Sequence, residues 1–183
     1  RVDSPHVRGD VVDRTGVQMS DMVALGRRIR TWSQGGAAGG DEAARVADAV
    51  ARGARTPRVA ILGAGAAGLC MAMRLQDLGV DDFIILEKSD GVGGTWRDNT
   101  YPGAACDVPS HLYSFSFAPK TDWSRKFAEQ PEILSYFESL VDRFGLGPHL
   151  RTGVEVTSAE WSDETSTWTL TTDDGERQEF DVV

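Results

Sequence analysis

Two short apolar runs set the first clear pattern in this 183-residue chain. Val59-Ala60-Ile61-Leu62 leads into a glycine-rich turn. Apolar residues then continue to about Leu78, and a second run, Phe83-Ile84-Ile85-Leu86, ends in Glu87. Short apolar runs bounded by turn residues read as buried strands, and the longer stretch between them reads as a helix closed by Gly79. The pattern predicts a βαβ unit over 57–87. Further on, Pro131 marks a helix start, and Ile133, Phe137, Leu140, Val141 and Phe144 recur at helical spacing up to Gly145. This stripe reads as core packing. From residue 153 the period changes to two, with Val154/Val156 and then Trp168/Leu170, and Asp174-Gly175 is a hairpin turn signal. A small antiparallel β-meander is expected there.

The remaining segments are less periodic. Residues 88–128 form a long connection rich in Trp, Tyr, Phe and Pro, a composition that disfavours disorder. Within it Tyr113, Phe115 and Phe117 alternate with serines and predict a short strand-like aromatic face. Upstream, Gly35–Gly40 reads as a linker, and Asp41 can N-cap a short helix to about Arg52 with Ala43, Val46, Ala47 and Val50 on one face. Residues 1–56 are therefore expected to be an extension, and a mostly disordered leader is favoured over an arm that wraps a partner and so promotes oligomers. The chain opens on Arg1 and ends in the strand-like run Phe180-Asp181-Val182-Val183, which reads as a piece of a longer protein.

Charge narrows the partners. The net charge is −9, with 9 Lys/Arg against 7 Asp/Glu in residues 1–56 and 10 against 21 in the rest. Such an acidic body argues against nucleic acid or an anionic membrane as partner. No apolar run approaches the length of a membrane span. Two cysteines, Cys70 and Cys106, cannot make a disulfide framework, so a reducing cytoplasm is the default, and Cys70 reads as a small buried apolar residue. His6, His111 and His149 lack partners at metal-ligand spacing.

The turn Gly63-Ala64-Gly65-Ala66-Ala67-Gly68 carries the chemistry. Gly63 allows the tight turn off the strand, Gly65 lets a pyrophosphate approach the backbone, and Gly68 lets the helix pack on the strand. The helix N-terminus favours an anion. Glu87 lies 19 residues past Gly68, where a carboxylate accepts hydrogen bonds from ribose hydroxyls and repels a 2′-phosphate. The site therefore suits FAD or NAD. A second glycine pair, Gly93-Gly94, permits close backbone approach to a bulky cofactor, and Trp96 beside it needs a partner such as a flat ring system.

The run Glu87-Lys88-Ser89-Asp90-Gly91-Val92-Gly93-Gly94-Thr95-Trp96 resembles the second FAD contact of flavin-dependent monooxygenases. Its continuation, Asn99-Thr100-Tyr101-Pro102-Gly103-Ala104-Ala105-Cys106-Asp107, followed by Tyr113-Ser114-Phe115-Ser116-Phe117, Trp123 and Gln130-Pro131-Glu132-Ile133-Leu134, resembles the Baeyer–Villiger monooxygenases. The resemblance covers about residues 58–183 and implies a fold class. This is an α/β, Rossmann-like FAD-binding domain over 57–183, with a parallel sheet and an inserted β-meander, incomplete at its C-terminus and lacking the NADPH-binding domain.

By the same resemblance Gly63, Gly65 and Gly68 hold the FAD pyrophosphate and Glu87 the adenosine ribose. Gly94, Thr95 and Trp96 lie along the flavin side, Tyr113 contacts the flavin, and Val156 offers its backbone to the adenine. Asp107 sits near the flavin and the NADPH nicotinamide in a catalytic role. Read from the residues alone, Asp107 is a solvated loop carboxylate or turn cap. The implied activity uses NADPH and O₂ to insert oxygen beside a ketone carbonyl, giving an ester or lactone. N- or S-oxygenating flavin monooxygenases share part of the pattern, and a bare FAD-binding fragment without activity is the non-enzyme alternative. Disulfide reductases fit poorly, since Cys106 stands alone where they need a cysteine pair.

Overall fold

The computed structural model describes residues 55–183. The linker 35–40, the helix expected over 41–52, and His6 lie outside the described residues. Pro57–Val183 forms one compact unit.

Strand β1 (Val59–Leu62) leads through the glycine turn into helix α1 (Ala66–Asp77) and back into strand β2 (Phe83–Glu87). β1 and β2 pair in parallel, with Val59 opposite Phe83 and Leu62 opposite Leu86. Parallel strands need a crossover, and α1 supplies it, as the apolar pattern predicts. α1 ends with Gly79 at a φ of 74°, a left-handed position that glycine takes without a Cβ penalty.

A third parallel strand, β3 (Leu150–Thr152), lies beside β2 with Ile85 opposite Leu150. Its three residues are too short to show a period, so the sequence pattern passed over it. Beyond the meander the chain returns to the other edge of β1: Val182 bridges Val59 in parallel, and its carbonyl accepts the Ala60 N–H at 2.9 Å. The strand order is therefore β3-β2-β1 with the Val182 segment outermost.

The meander consists of β4 (Val156–Ser162), β5 (Thr167–Thr172) and β6 (Arg177–Phe180), all antiparallel. The β5–β6 turn contains the predicted Asp174-Gly175. The meander packs on one face of the parallel sheet: Leu170 and Phe180 join Ala60 and Leu86 in one buried cluster, with Ile84, Val154 and Val156 at its margin. Burying a Leu or Phe side chain contributes about 1.5–3 kcal/mol. On the other face Ile61 meets α1 at Gly68.

The long connection holds a four-residue helix, α2 (Thr95–Asp98), and a 3₁₀ turn at Ser110–Leu112. Helix α3 (Gln130–Arg143) follows, with Pro131 in its first turn and Ile133, Tyr136, Phe137 and Leu140 buried. The expected strand-like face at 113–117 does not form. The segment is a turn, closed by the Ala118 N–H to the Phe115 carbonyl at 2.9 Å, and the Phe115 and Phe117 rings stack 5.2 Å apart. Tyr136 holds this turn, accepting the Phe115 N–H at 2.8 Å and donating to the Ala118 carbonyl at 2.9 Å. With its backbone groups satisfied by a side chain, the segment has no need of a strand partner.

Candidate functional site

The two glycine turns meet. The Gly93 N–H donates to the Ala64 carbonyl at 3.0 Å. A Cβ built on Gly94 would sit 3.0 Å from the Gly65 Cα, and one on Gly65 would sit 3.6 Å from the Gly94 Cα. Only residues without side chains allow two backbones to approach so closely. Gly94 has a φ of 51° and Gly93 one of 125°, so both conformation and space demand glycine here. The third glycine of the first turn serves packing: a Cβ on Gly68 would lie 1.9 Å from the Gly63 carbonyl oxygen and 3.3 Å from Ile61 Cγ2.

Glu87 ends β2 beneath this junction, and its side chain is buried. Its Oε2 accepts the Ala64 N–H at 2.6 Å and its Oε1 accepts the Ser89 N–H at 2.8 Å. Burial on its own would raise the carboxyl pKa, but the two amides outweigh it and hold the group below the usual carboxylate range. An ionised carboxylate has about four acceptor sites. Each Glu87 oxygen therefore keeps acceptor capacity for a further donor, such as a hydroxyl.

Leu69 donates the first α-helical bond of α1, to the Gly65 carbonyl at 3.0 Å. The amides just before it belong to the turn, at the positive end of the helix. On the other side of the junction, Thr95 is exposed at the start of α2. Trp96 follows, and its Nε1 donates to the Tyr113 hydroxyl at 2.9 Å. The two rings are edge to face, 5.6 Å apart. The Trp96 carbonyl accepts from Gln130 Nε2 at the start of α3. Tyr113 is fixed in turn through its N–H to the Ser110 carbonyl at 2.9 Å.

The structure thus gathers Gly63, Gly65, Gly68, Glu87, Gly94, Thr95, Trp96 and Tyr113 along one continuous path. Val156 opens β4, linked to the path through Val154, whose N–H donates to the Glu87 carbonyl at 3.0 Å. Asp107 is not drawn in. Its side chain is exposed and makes no hydrogen bond or ion pair among the described residues. Its segment is nonetheless stitched down on both sides, by the Cys106 N–H to the Ala128 carbonyl at 2.8 Å and by the buried Ser110, whose Oγ accepts the Ala128 N–H at 2.7 Å.

Of the histidines, His149 stacks on Phe83 with ring centroids 4.0 Å apart, and His111 is exposed. No metal-binding cluster occurs among the described residues. Cys70 is half-buried rather than fully buried, and burial pushes its thiol up. Among the described residues no helix is long and apolar enough to cross a membrane.

Fold and site together define a Rossmann-like dinucleotide-binding domain. The family profile described as an NAD(P)-binding Rossmann-like domain matches residues 61–130. The chain is 54% identical over 115 residues to a Baeyer–Villiger monooxygenase of Streptomyces coelicolor, covering 63% of this chain and 22% of that protein. It is 50% identical over 117 residues to a Baeyer–Villiger monooxygenase of Pseudomonas aeruginosa, again 22% of that protein. Among solved structures, cyclohexanone monooxygenase in its open form superposes with a TM-score of 0.65 at 42% identity, over 70% of this chain and 26% of that one. A steroid monooxygenase bound to NADP superposes at 0.64 and 43% identity, over 68% and 25%. By sequence and fold the chain is similar to part of the Baeyer–Villiger monooxygenases. It spans about a quarter of the length of these relatives.

Proposed function

We propose that this chain is the FAD-binding part of an NADPH- and O₂-dependent flavoprotein monooxygenase that inserts oxygen beside a ketone carbonyl to give an ester or lactone. One observation carries the reading: two glycine turns in backbone contact, with an ionised, doubly anchored carboxylate beneath them and the Trp96–Tyr113 pair alongside. The two turns meet with no side chain between them, and the bare backbone along both fits a ligand that lies close to it.

On this reading Gly63, Gly65 and Gly68 receive the pyrophosphate at the start of α1. Glu87 takes the adenosine ribose and, being charged, turns away a 2′-phosphorylated one. Gly94, Thr95 and Trp96 border the flavin portion, Tyr113 holds Trp96 in place beside it, and Val156 offers backbone to the adenine. Asp107 is assigned to orient the nicotinamide side; its exposure suits a group that meets a partner domain or cofactor. Bound FAD supplies the redox and oxygen-transfer chemistry. The chain's own residues bind it, orient it and shield it. Residues 57–183 form the FAD domain and 1–56 a separate extension, and the two cysteines, free in the structure, accord with the cytoplasm.

Titration of the purified 183-residue chain with FAD and with NADP⁺ tests this. FAD is expected to bind and quench tryptophan fluorescence, and NADP⁺ is expected not to displace it. The chain alone is expected to produce no ester from cyclohexanone and NADPH, because it spans about a quarter of the relatives that carry out the whole reaction. Failure to bind FAD, or binding lost to equimolar NADP⁺, overturns the reading.

A further inference from the structure

The second glycine turn is conformationally expensive. Gly93 and Gly94 are consecutive positive-φ residues at 125° and 51°, and glycine loses more freedom on folding than any other residue. Something outside the turn must hold it. Part of the hold is the Gly93 N–H to the Ala64 carbonyl, at 3.0 Å. Part is Leu134 of α3, whose Cδ1 would lie 2.4 Å from a Cβ on Gly93.

Arg97 does the rest. It lies on α2, and its side chain folds back over the turn that precedes it. Nε donates to the Val92 carbonyl at 2.7 Å, Nη1 to Asp90 Oδ1 at 3.1 Å, and Nη2 to Glu138 Oε1 of α3 at 2.8 Å. The guanidinium covers Gly91 so closely that a Cβ there would be 2.4 Å from Nη2. One side chain therefore ties both ends of the glycine turn to a long helix 41 residues away in sequence.

We infer that Arg97 is a positioning residue for the dinucleotide: it latches the second glycine turn to α3 and so keeps Gly94 seated against Gly65. The inference rests on the reading of this site as an FAD site. Arg97 acts through geometry, since two carboxylates already neutralise its charge. That makes the planar fork essential. A lysine ammonium is a point charge on a flexible stem and cannot serve three fixed acceptors in the same way.

The test compares FAD affinity, FAD release rate and the thermal midpoint without FAD for the parent chain and for Arg97→Ala, Arg97→Lys, Glu138→Gln and the Arg97→Ala/Glu138→Gln double variant. Arg97→Ala is expected to weaken FAD binding about tenfold and to speed release, the scale of one lost charge-assisted hydrogen bond. Arg97→Lys should recover only part of this, and Glu138→Gln should show a smaller loss. The double variant should bind FAD no worse than Arg97→Ala, because both substitutions open the same latch. A purely structural residue would lower the thermal midpoint and leave the affinity of the folded protein intact. That result, or parent-like affinity in Arg97→Ala, overturns the inference alone. If Arg97→Ala does not fold, parent-like affinity in Glu138→Gln overturns it instead. Absence of FAD binding by the parent chain removes the site reading and this inference with it.

Discussion

The Glu87 carboxylate accepts the Ala64 amide hydrogen at 2.6 Å, so the acid that ends β2 is bonded to the glycine turn that ends β1. The same carboxylate accepts the Ser89 N–H at 2.8 Å and thereby fixes the start of the second turn. One side chain thus sets the spacing between the two segments that line the site.

The bond has a pH signature. Despite burial, the two amides hold the Glu87 pKa below its ordinary value near 4.5. A carboxyl depressed in the folded state contributes stability that is fully present above the unfolded pKa and is lost as pH falls through the folded one. Urea midpoints of the parent chain should therefore fall as pH drops below about 4.5. Glu87→Gln, with one acceptor oxygen in place of two, should lose about 1–3 kcal/mol at pH 7 and show a flatter acid limb. An acid limb equally steep in both proteins would count against the assignment.

Much of this arrangement can be read along the chain. The apolar runs of β1 and β2, the glycines between them and the acid after them are local signals, and local signals specify a βαβ unit. The stripe on α3 and the Asp174-Gly175 turn are equally local. What escapes is pairing at a distance. Strand β3 is three residues long and owes its place to β2, not to its own pattern. The 113–117 segment alternates like a strand but lacks a partner strand, and Tyr136, 21 residues from Phe115, satisfies its backbone instead. Gly93-Gly94 can be recognised as a close-approach motif, yet nothing in the chain says that the approaching backbone is Gly65. Arg97 gives no signal at all, since the partner that explains it lies on α3.

The glycine junction can be probed one position at a time. At Gly68 a Cβ would lie 1.9 Å from the Gly63 carbonyl oxygen, a backbone atom that cannot move aside cheaply. Gly68→Ala is expected to cost about 3 kcal/mol through overpacking. At Gly94 the Cβ would meet the Gly65 Cα at 3.0 Å with φ at 51°, and Gly94→Ala should cost about 1–3 kcal/mol in strain. At Gly79 no atom lies within 4 Å of the added Cβ, so Gly79→Ala pays only for its positive φ, about 1 kcal/mol. The order of urea midpoints, Gly79→Ala above Gly94→Ala above Gly68→Ala, is the check. FAD binding should fail in Gly94→Ala and persist in Gly79→Ala.

The Trp96–Tyr113 bond offers a spectroscopic handle. Tyr113→Phe removes the acceptor of the Trp96 Nε1–H at 2.9 Å while keeping most of the edge-to-face ring contact. The pair is half-buried, so water can partly replace the hydroxyl, and a cost of about 1 kcal/mol or less is expected. Trp96 should gain rotational freedom, seen as lower fluorescence anisotropy without ligand, and FAD should quench it less completely. Unchanged anisotropy and quenching in Tyr113→Phe would mean that the hydroxyl does not hold the indole, the edge-to-face ring contact being enough.

Asp107 separates binding from chemistry. Its carboxylate is exposed and unbonded among the described residues, so the domain should not depend on it. Asp107→Ala is expected to change stability by less than about 0.5 kcal/mol, the usual range for an exposed side chain without partners. FAD affinity should stay within about threefold of the parent, roughly the same energy. The proposed role on the nicotinamide side concerns a step that the domain is not expected to perform alone. It should therefore appear in a protein of the relatives' full length that carries this domain, as slower flavin reduction by NADPH at unchanged FAD content. Stopped-flow reduction of such a full-length protein, with Asp107 against Asp107→Ala in this domain, reads that step directly. Equal reduction rates would return Asp107 to the solvated loop carboxylate that its local sequence suggests. A tenfold loss of FAD affinity in the short chain would place it in the binding site instead.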